Sequence, residues 1–356
     1  MSAHFRFARE QDNKGILKIM EHDAAKGDIQ LIYTRRPDPC RSFLAESDKA
    51  CVGVFEDNGK VAATIAAIPH PMYLQSKLEN VCYVTNMKRA EDYNGRINWP
   101  AAFREMYEPV ASDVFFCSVV KENTKVLQML EKKRRKLPYA VPMDDYRTYI
   151  ISPTAKVKDP CPQFSFRRAC TEDTEDVLRF LNTYGSRKNF FPVIRSLGGE
   201  NLPAITDFYL LFDQEQLIAL GALWDRTKSK QYTVKQYSGR VALLRRFNPL
   251  ISRLGYIQIP KAGEQAAFVF LSFFLARDDA PDAYQSFLSR IRKEAAGKYD
   301  MFVLGTNGQN PKRKVLDSIR AITFDTLLCE LKMGHFQDAP EILFDYSVLE
   351  VECALL

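Results

Sequence analysis

The residues of this 356-residue chain that could do chemistry cluster in three stretches of its first half. "NVCYVTNMKRA" (80–90) ends an apolar run on Tyr83 and Asn86, a phenol and an amide able to give or share a proton, with Met87 beside them. "RAEDYNGRINWP" (89–100) carries Tyr93, Asn94, Gly95 and Arg96 in a polar turn, where a glycine lets another group approach the backbone closely. "SDVFFCSVVKENTKVLQMLEKK" (112–133) sets Asn123 between an apolar strand and a helix. The other reactive types form no pattern. Four histidines (4, 22, 70 and 335) lie far apart, and His70, in "IPHP", reads as a loop residue after a hairpin. Eight cysteines are scattered without CxxC spacing, several inside apolar runs, so buried reduced thiols are expected and no metal site. GxSxG, HExxH and Walker A patterns do not occur, and "GTNGQNPKRK" (305–314) lacks the terminal GK[ST] of a phosphate loop.

Composition narrows the classes further. The chain is 46% hydrophobic and 26% charged, as in ordinary globular proteins, and no run reaches the ~20 apolar residues of a membrane span. Its start, "MSAHFRFARE", lacks the apolar core of a signal peptide, so a cytoplasmic location is expected. The net charge of +6 is unevenly spread: from Arg226 to Arg253 every charged residue is basic, and a second basic cluster, "EKKRRK", stands at 131–136. A solvated face is the expected role of both clusters, with attraction of an anion as the alternative. Two tyrosines (Tyr232 and Tyr237) are too few for base stacking, and nucleic acid is not expected as a partner.

The elements that must position the three stretches follow from periodicity. A helix over 9–26 buries Ile16, Ile19 and Met20, and "CVGVFEDNGKVAATIAAI" (51–68) is a hairpin turning on Asp57-Asn58-Gly59. Residues 80–90 form a strand, Phe103, Met106, Tyr107 and Val110 mark a helix, 112–120 is a buried strand and 122–135 a helix. Strand, helix and strand in that order predict a parallel pair between 80–90 and 112–120. A proline-rich linker, 153–163, then separates a first domain (1–152) from a second (164–356). The second repeats the first. Phe5-Arg6 returns as Phe166-Arg167 and Asp12 as Asp173, all 161 positions on, while Asp113 returns as Asp300 and Asn123 as Asn310, both 187 positions on. The chain is a duplication.

The repeated unit resembles the GNAT acyltransferase family in the order of three features: "FRFAREQD" before a helix, the hairpin "VGVFEDNGKVAATIA", and "VVKENTKVLQMLEKK". The resemblance covers nearly the whole chain twice. It implies an α/β fold of two GNAT-like domains in tandem, each a central mixed sheet flanked by helices. Tandem copies also occur in the N-myristoyltransferases, so the duplication does not fix a substrate.

The resemblance further implies acetyl-CoA or another acyl-CoA as co-substrate, its pantetheine arm lying between two splayed parallel strands. The pyrophosphate would rest on N–H groups at the start of the next helix. Met87, Tyr93, Asn94, Gly95, Arg96 and Asn123 are the cofactor-binding candidates; Gly95 fits the first glycine of the family's loop, whereas Asp92 and Ile97 depart from its pattern. The family's tyrosine that protonates the leaving thiolate is replaced by Leu130, which leaves Tyr83 and Asn86 as catalytic candidates. In the second copy the loop "ARDDAPDAYQ" (276–285) has no glycine and three aspartates, so no coenzyme A is expected there. The implied activity is direct acyl transfer, acetyl foremost, to a small-molecule amine or a peptide. The alternative is an inactive protein of this fold that binds a small ligand or acyl-CoA. Neither a metal nor a membrane partner is expected.

Overall fold

The computed structural model describes residues 2–22, 29–132, 138–237, 261–333 and 348–356. The first half contributes β1 (Ser2–Phe7), α1 (Asn13–His22), β2 (Ile29–Thr34), α2 (Pro39–Leu44), β3 (Cys51–Asp57), β4 (Lys60–Leu74), β5 (Lys77–Arg89), β6 (Arg96–Ile97), α3 (Trp99–Val110), β7 (Val114–Val120), α4 (Thr124–Glu131) and β8 (Tyr139–Ile151). The second contributes β9 (Ser165–Arg168), α5 (Thr174–Gly185), β10 (Phe191–Pro192), β11 (Phe208–Asp213), β12 (Gln216–Trp224), β13 (Gln231–Tyr237), β14 (Phe268–Ala276), α6 (Pro281–Ala295), β15 (Met301–Asn307), α7 (Lys312–Asp317) and β16 (Ala321–Lys332).

Local chemistry explains the recurring pieces. Asn58 (φ 51°) and Gly59 (φ 76°) both take the left-handed backbone that a two-residue hairpin turn needs, and β3 and β4 pair antiparallel across them. Before α1, the Arg6 guanidinium grips both oxygens of Asp12 while the Arg9 N–H donates to the same carboxylate. Before α5, Arg167, Asp173 and the Cys170 N–H repeat that arrangement. The offset of 161 is therefore a structural repeat as well as a written one. Apolar spacing buries Ile16, Ile19 and Met20 of α1 and Val177, Phe180 and Leu181 of α5 against the sheet, each large side chain contributing roughly 1.5–3 kcal/mol.

One large sheet runs in the order β6-β1-β3-β4-β5-β7-β16-β8-β15-β14-β12-β11-β9, with β10 pairing to β4 beside this path. Its centre is an exchange. The last strand of the first half, β8, pairs with β15 of the second (Tyr149↔Leu304), and β16 pairs with β7 of the first (Cys329↔Cys117). β8 and β16 also pair with each other along their lengths, where Arg147 forms a two-pronged ion pair with Asp325. Each half thus completes the other's sheet. β2 and β13, one from each half, form a separate antiparallel ribbon.

β4 is longer than its hairpin suggested and carries Pro69 and Pro71. These prolines sit where β3 has ended, at Ala67, and β10 has not yet begun, at Met72, so the missing N–H groups break no ladder on that side. His70 consequently lies buried within a strand, correcting its reading as a loop residue.

Candidate active site

β5 and β7 run parallel, as their sequence order predicted, but only over Val81↔Val114, Cys82↔Phe115 and Tyr83↔Phe116. Beyond these pairs β5 continues to Arg89 and β7 to Val120 without pairing to each other. The cause is a bulge in β5. Its register with β4 shifts between Thr64 and Ala66, and Asn86 adopts φ 52°, which bends the strand away. Tyr83 and Ser118 meet across the mouth of the gap, hydroxyl to hydroxyl at 2.8 Å. Burial pushes the Tyr83 phenol up to about 12, so it stays protonated at neutral pH. The Asn86 amide donates to the Thr64 hydroxyl at 3.4 Å.

Strand alternation divides the walls of this groove. Cys82, Val84 and Met87 face α3 and α4 together with Phe115, Cys117 and Val119. Tyr83 and Phe116 face the other way, toward Phe190, Leu349 and Val351. Asn123 caps α4, its side-chain oxygen accepting from the Val126 N–H at 3.4 Å. Tyr93 packs on the same core as Met87 and donates to Asp57 at 3.2 Å. A Cβ on Gly95 would lie 2.2 Å from the Tyr93 hydroxyl oxygen, so this glycine makes room for a tyrosine ring. Asn94 and Arg96 are exposed, and Arg96 belongs to β6, at the far end of the strand order from β7. α3 begins only at Trp99, with Pro100 in its first turn. The structure therefore brings Tyr83, Asn86, Met87 and the cap of α4 around one gap, while the Gly95 turn sits toward the outer edge.

The second half contains the same gap, already filled. β14 and β15 pair in parallel over Phe268↔Met301, Val269↔Phe302 and Phe270↔Val303, each residue 187 positions beyond its counterpart. Phe273, the counterpart of Asn86, has φ 53° beside a register shift between Leu220 and Ala222. Here the Phe273 N–H donates to a carboxyl oxygen of Glu352 at 2.6 Å. Lys312 donates to the Phe274 carbonyl at 3.0 Å and to Glu350 at 2.5 Å. Asn310 donates to the Leu349 carbonyl at 3.0 Å and to Glu350 at 2.7 Å. Burial pushes the Glu352 carboxyl above its ordinary value. Residues 349–356 thus pack against the splayed ends of β14 and β15. The alternation of apolar residues with Glu350 and Glu352 in "VLEVEC" was the available signal of an extended, two-faced segment. The aspartates of the second loop are not bare, because Asp278 pairs with Arg187 and Asp279 with Lys188 and the Tyr284 hydroxyl.

A buried ion cluster joins the halves. Glu46 meets Arg35 at 2.6 Å, Arg226 at 3.3 Å and Lys230 at 3.5 Å. Burial alone would raise the Glu46 carboxyl, but the three cations outweigh it and hold it below the carboxylate range. Burial lowers the Lys230 ammonium well below its usual value, and Lys230 donates to the carbonyls of Ala354 (2.9 Å) and Leu356 (2.8 Å). Arg226 and Lys230 therefore do not belong to a solvated face, which corrects that expectation for these two residues, whereas Lys228 and Lys235 are exposed. Arg240, Arg245, Arg246 and Arg253, and most of "EKKRRK", lie outside the described residues. Among the described residues no group of three or more His, Cys, Asp or Glu side chains could hold a metal ion, and no helix is long and apolar enough to cross a membrane.

No protein-family model matches the sequence, and comparison with curated proteins finds no match. Solved structures do match. A GCN5-related N-acetyltransferase from Anabaena variabilis superposes with a TM-score of 0.50 at 11% identity, covering 91% of this chain and 72% of its own. Two structures of Saccharomyces cerevisiae N-myristoyltransferase with bound myristoyl-CoA superpose with TM-scores of 0.55. Their identities are 10% and 12%, and they cover 92% of this chain and 82% and 78% of their own. The chain has the GNAT fold. Its splayed strand pair occurs once in each half, as β5 with β7 and as β14 with β15.

Proposed function

We propose that the chain is an acyl-CoA-dependent N-acyltransferase, foremost an acetyltransferase, working in the cytoplasm from the groove of its first half. The observation that carries this reading is the bulge shared by the two grooves. In the second, the Phe273 N–H at the bulge holds a carboxyl oxygen at 2.6 Å. Asn86 stands at the same bend 187 residues earlier, so its N–H suits the oxygen of a thioester carbonyl as negative charge develops there. Residues 1–152 would carry the site, with 164–356 covering the acceptor side and 153–163 joining them.

Acyl-CoA would enter between β5 and β7, with Met87 along the pantetheine arm and Asn123 at the start of α4 beside it. Tyr93, Asn94, Gly95 and Arg96 would meet the phosphates. The acceptor, a small amine or a peptide, would approach from the side of Tyr83, Phe116 and Phe190. An alkylamine with a pKa of about 10.4 must shed a proton before attack, here to a water relay. Attack on the thioester expels a thiolate, and the Tyr83 phenol, held protonated by burial and steadied by Ser118, would return a proton to it. The Asn86 amide would donate a hydrogen bond to that thiolate without losing a proton. Calorimetry with acetyl-CoA and with free coenzyme A tests the reading: one equivalent per chain is expected, and no binding at high micromolar concentration would overturn it. Binding without turnover of any amine would favour an inactive binding protein, which the presence of Leu130 in place of a tyrosine supports.

A further inference from the structure

We propose that Cys117 and Cys329 form a modification site, a thiol pair that closes to a disulfide between the exchanged strands. The two residues are direct partners in the antiparallel ladder of β7 and β16. Directly opposed residues in such a ladder have Cα atoms about 4.5–5.5 Å apart, inside the roughly 4.4–6.8 Å span that a disulfide bridges. Both side chains point into the same core under α3 and α4, so neither has to change face to reach the other.

The thiols already interact. The neighbouring Cys329 raises the Cys117 thiol in the same sense as burial, while Cys117 lowers the Cys329 thiol against burial. With Cys329 as the attacking thiol and Cys117 as the resolving one, one bridge forms and two waters leave. With hydrogen peroxide as oxidant, the Cys329 sulfur attacks one oxygen and the O–O bond breaks. The product is a sulfenic acid, and the departing oxygen leaves as water with the thiol proton. The Cys117 sulfur then attacks the Cys329 sulfur, the S–O bond breaks, and a second water leaves with the Cys117 proton.

Packing does not require cysteine at these positions. The corresponding pair in the second half, 187 residues after Cys117, is Leu304 opposite Tyr149. The exchange therefore tolerates large side chains in this register, and the second half has no thiol at the counterpart positions. Closing the bridge would tie a strand of the first half to one of the second by a covalent bond.

The reduced full chain is exposed to hydrogen peroxide, unfolded, alkylated with N-ethylmaleimide and digested. The expected result is two fewer labelled thiols than the eight free cysteines of the reduced protein, with the Cys117 and Cys329 peptides joined. Cys329→Ser should leave Cys117 labelled after the same treatment, and Cys117→Ser should leave Cys329 unbridged and open to sulfinic acid formation. Labelling of all eight thiols after oxidation would overturn the proposal. So would a map joining Cys117 to Cys82, which shares the same core.

Discussion

The two splayed strand pairs start from one geometry and come to opposite uses. Each pairs over three residues, each bends at a residue with positive φ, and the two are separated by a constant 187 positions. In the second pair, Glu352, Glu350 and Lys312 make the contacts at the bend and beside it. In the first, the side chains around the gap are Tyr83, Ser118, Asn86 and Met87. The difference teaches that this scaffold supplies a slot, which a buried chain segment fills in the second half and which the proposed function gives to a bound molecule in the first.

The comparison is sharpened most by breaking the filling of the second slot. Lys312→Met leaves Glu350 as a buried charge without its cation and should cost about 3–5 kcal/mol, measured as a shift in the urea midpoint. Adding Glu350→Gln should recover much of that loss. Next comes Tyr83→Phe in the first slot. On the proposed chemistry it lowers kcat by at least about 100-fold, whereas loss of the bond to Ser118 changes stability by only about 1 kcal/mol. Phe270, its counterpart in the second slot, already lacks the hydroxyl, so Phe270→Leu should leave kcat unchanged.

A smaller effect should be the same in both halves. Arg6 and Arg167 hold Asp12 and Asp173 below the usual carboxylate range through direct hydrogen bonds. A depressed carboxylate contributes stability that is present above its unfolded value, about 3.9, and lost as pH falls through the folded one. Asp12→Asn and Asp173→Asn should each flatten the acid limb of the stability profile below about pH 4. Unequal effects would show that the two copies no longer share this device. The smallest change is Asn123→Ala, about 0.5 kcal/mol, because its cap is exposed and its hydrogen bond long. Asn310→Ala, removing a buried side chain with three bonds, should exceed it by about 1–2 kcal/mol.

Much of the fold was legible because it is local. The Asn58-Gly59 turn, the parallel pair of 80–90 with 112–120 and both offsets of the repeat follow from residue type and spacing, and the structure reproduces them. What was not legible is non-local. β8 and β16 carry similar patterns, and nothing in either pattern says which of β7 and β15 it will join. Arg226 and Lys230 read as solvent-facing because their counter-charge, Glu46, lies 180 residues or more away in sequence. Tyr83 and Asn86 stood out in the sequence, whereas Ser118, on the facing strand, had no distinguishing neighbour there.

The exchanged strands also set a schedule for making the protein. β7 leaves the ribosome long before β16, with roughly two hundred residues of chain between them. At about 5–20 residues per second, its edge waits on the order of 10–40 seconds for the strand that covers it. During that time the unpaired N–H and C=O groups of an apolar strand, "VFFCSVV", are open to wrong partners. Neither half can finish its sheet while the other is missing, so nascent chains must be held apart until the last strand arrives.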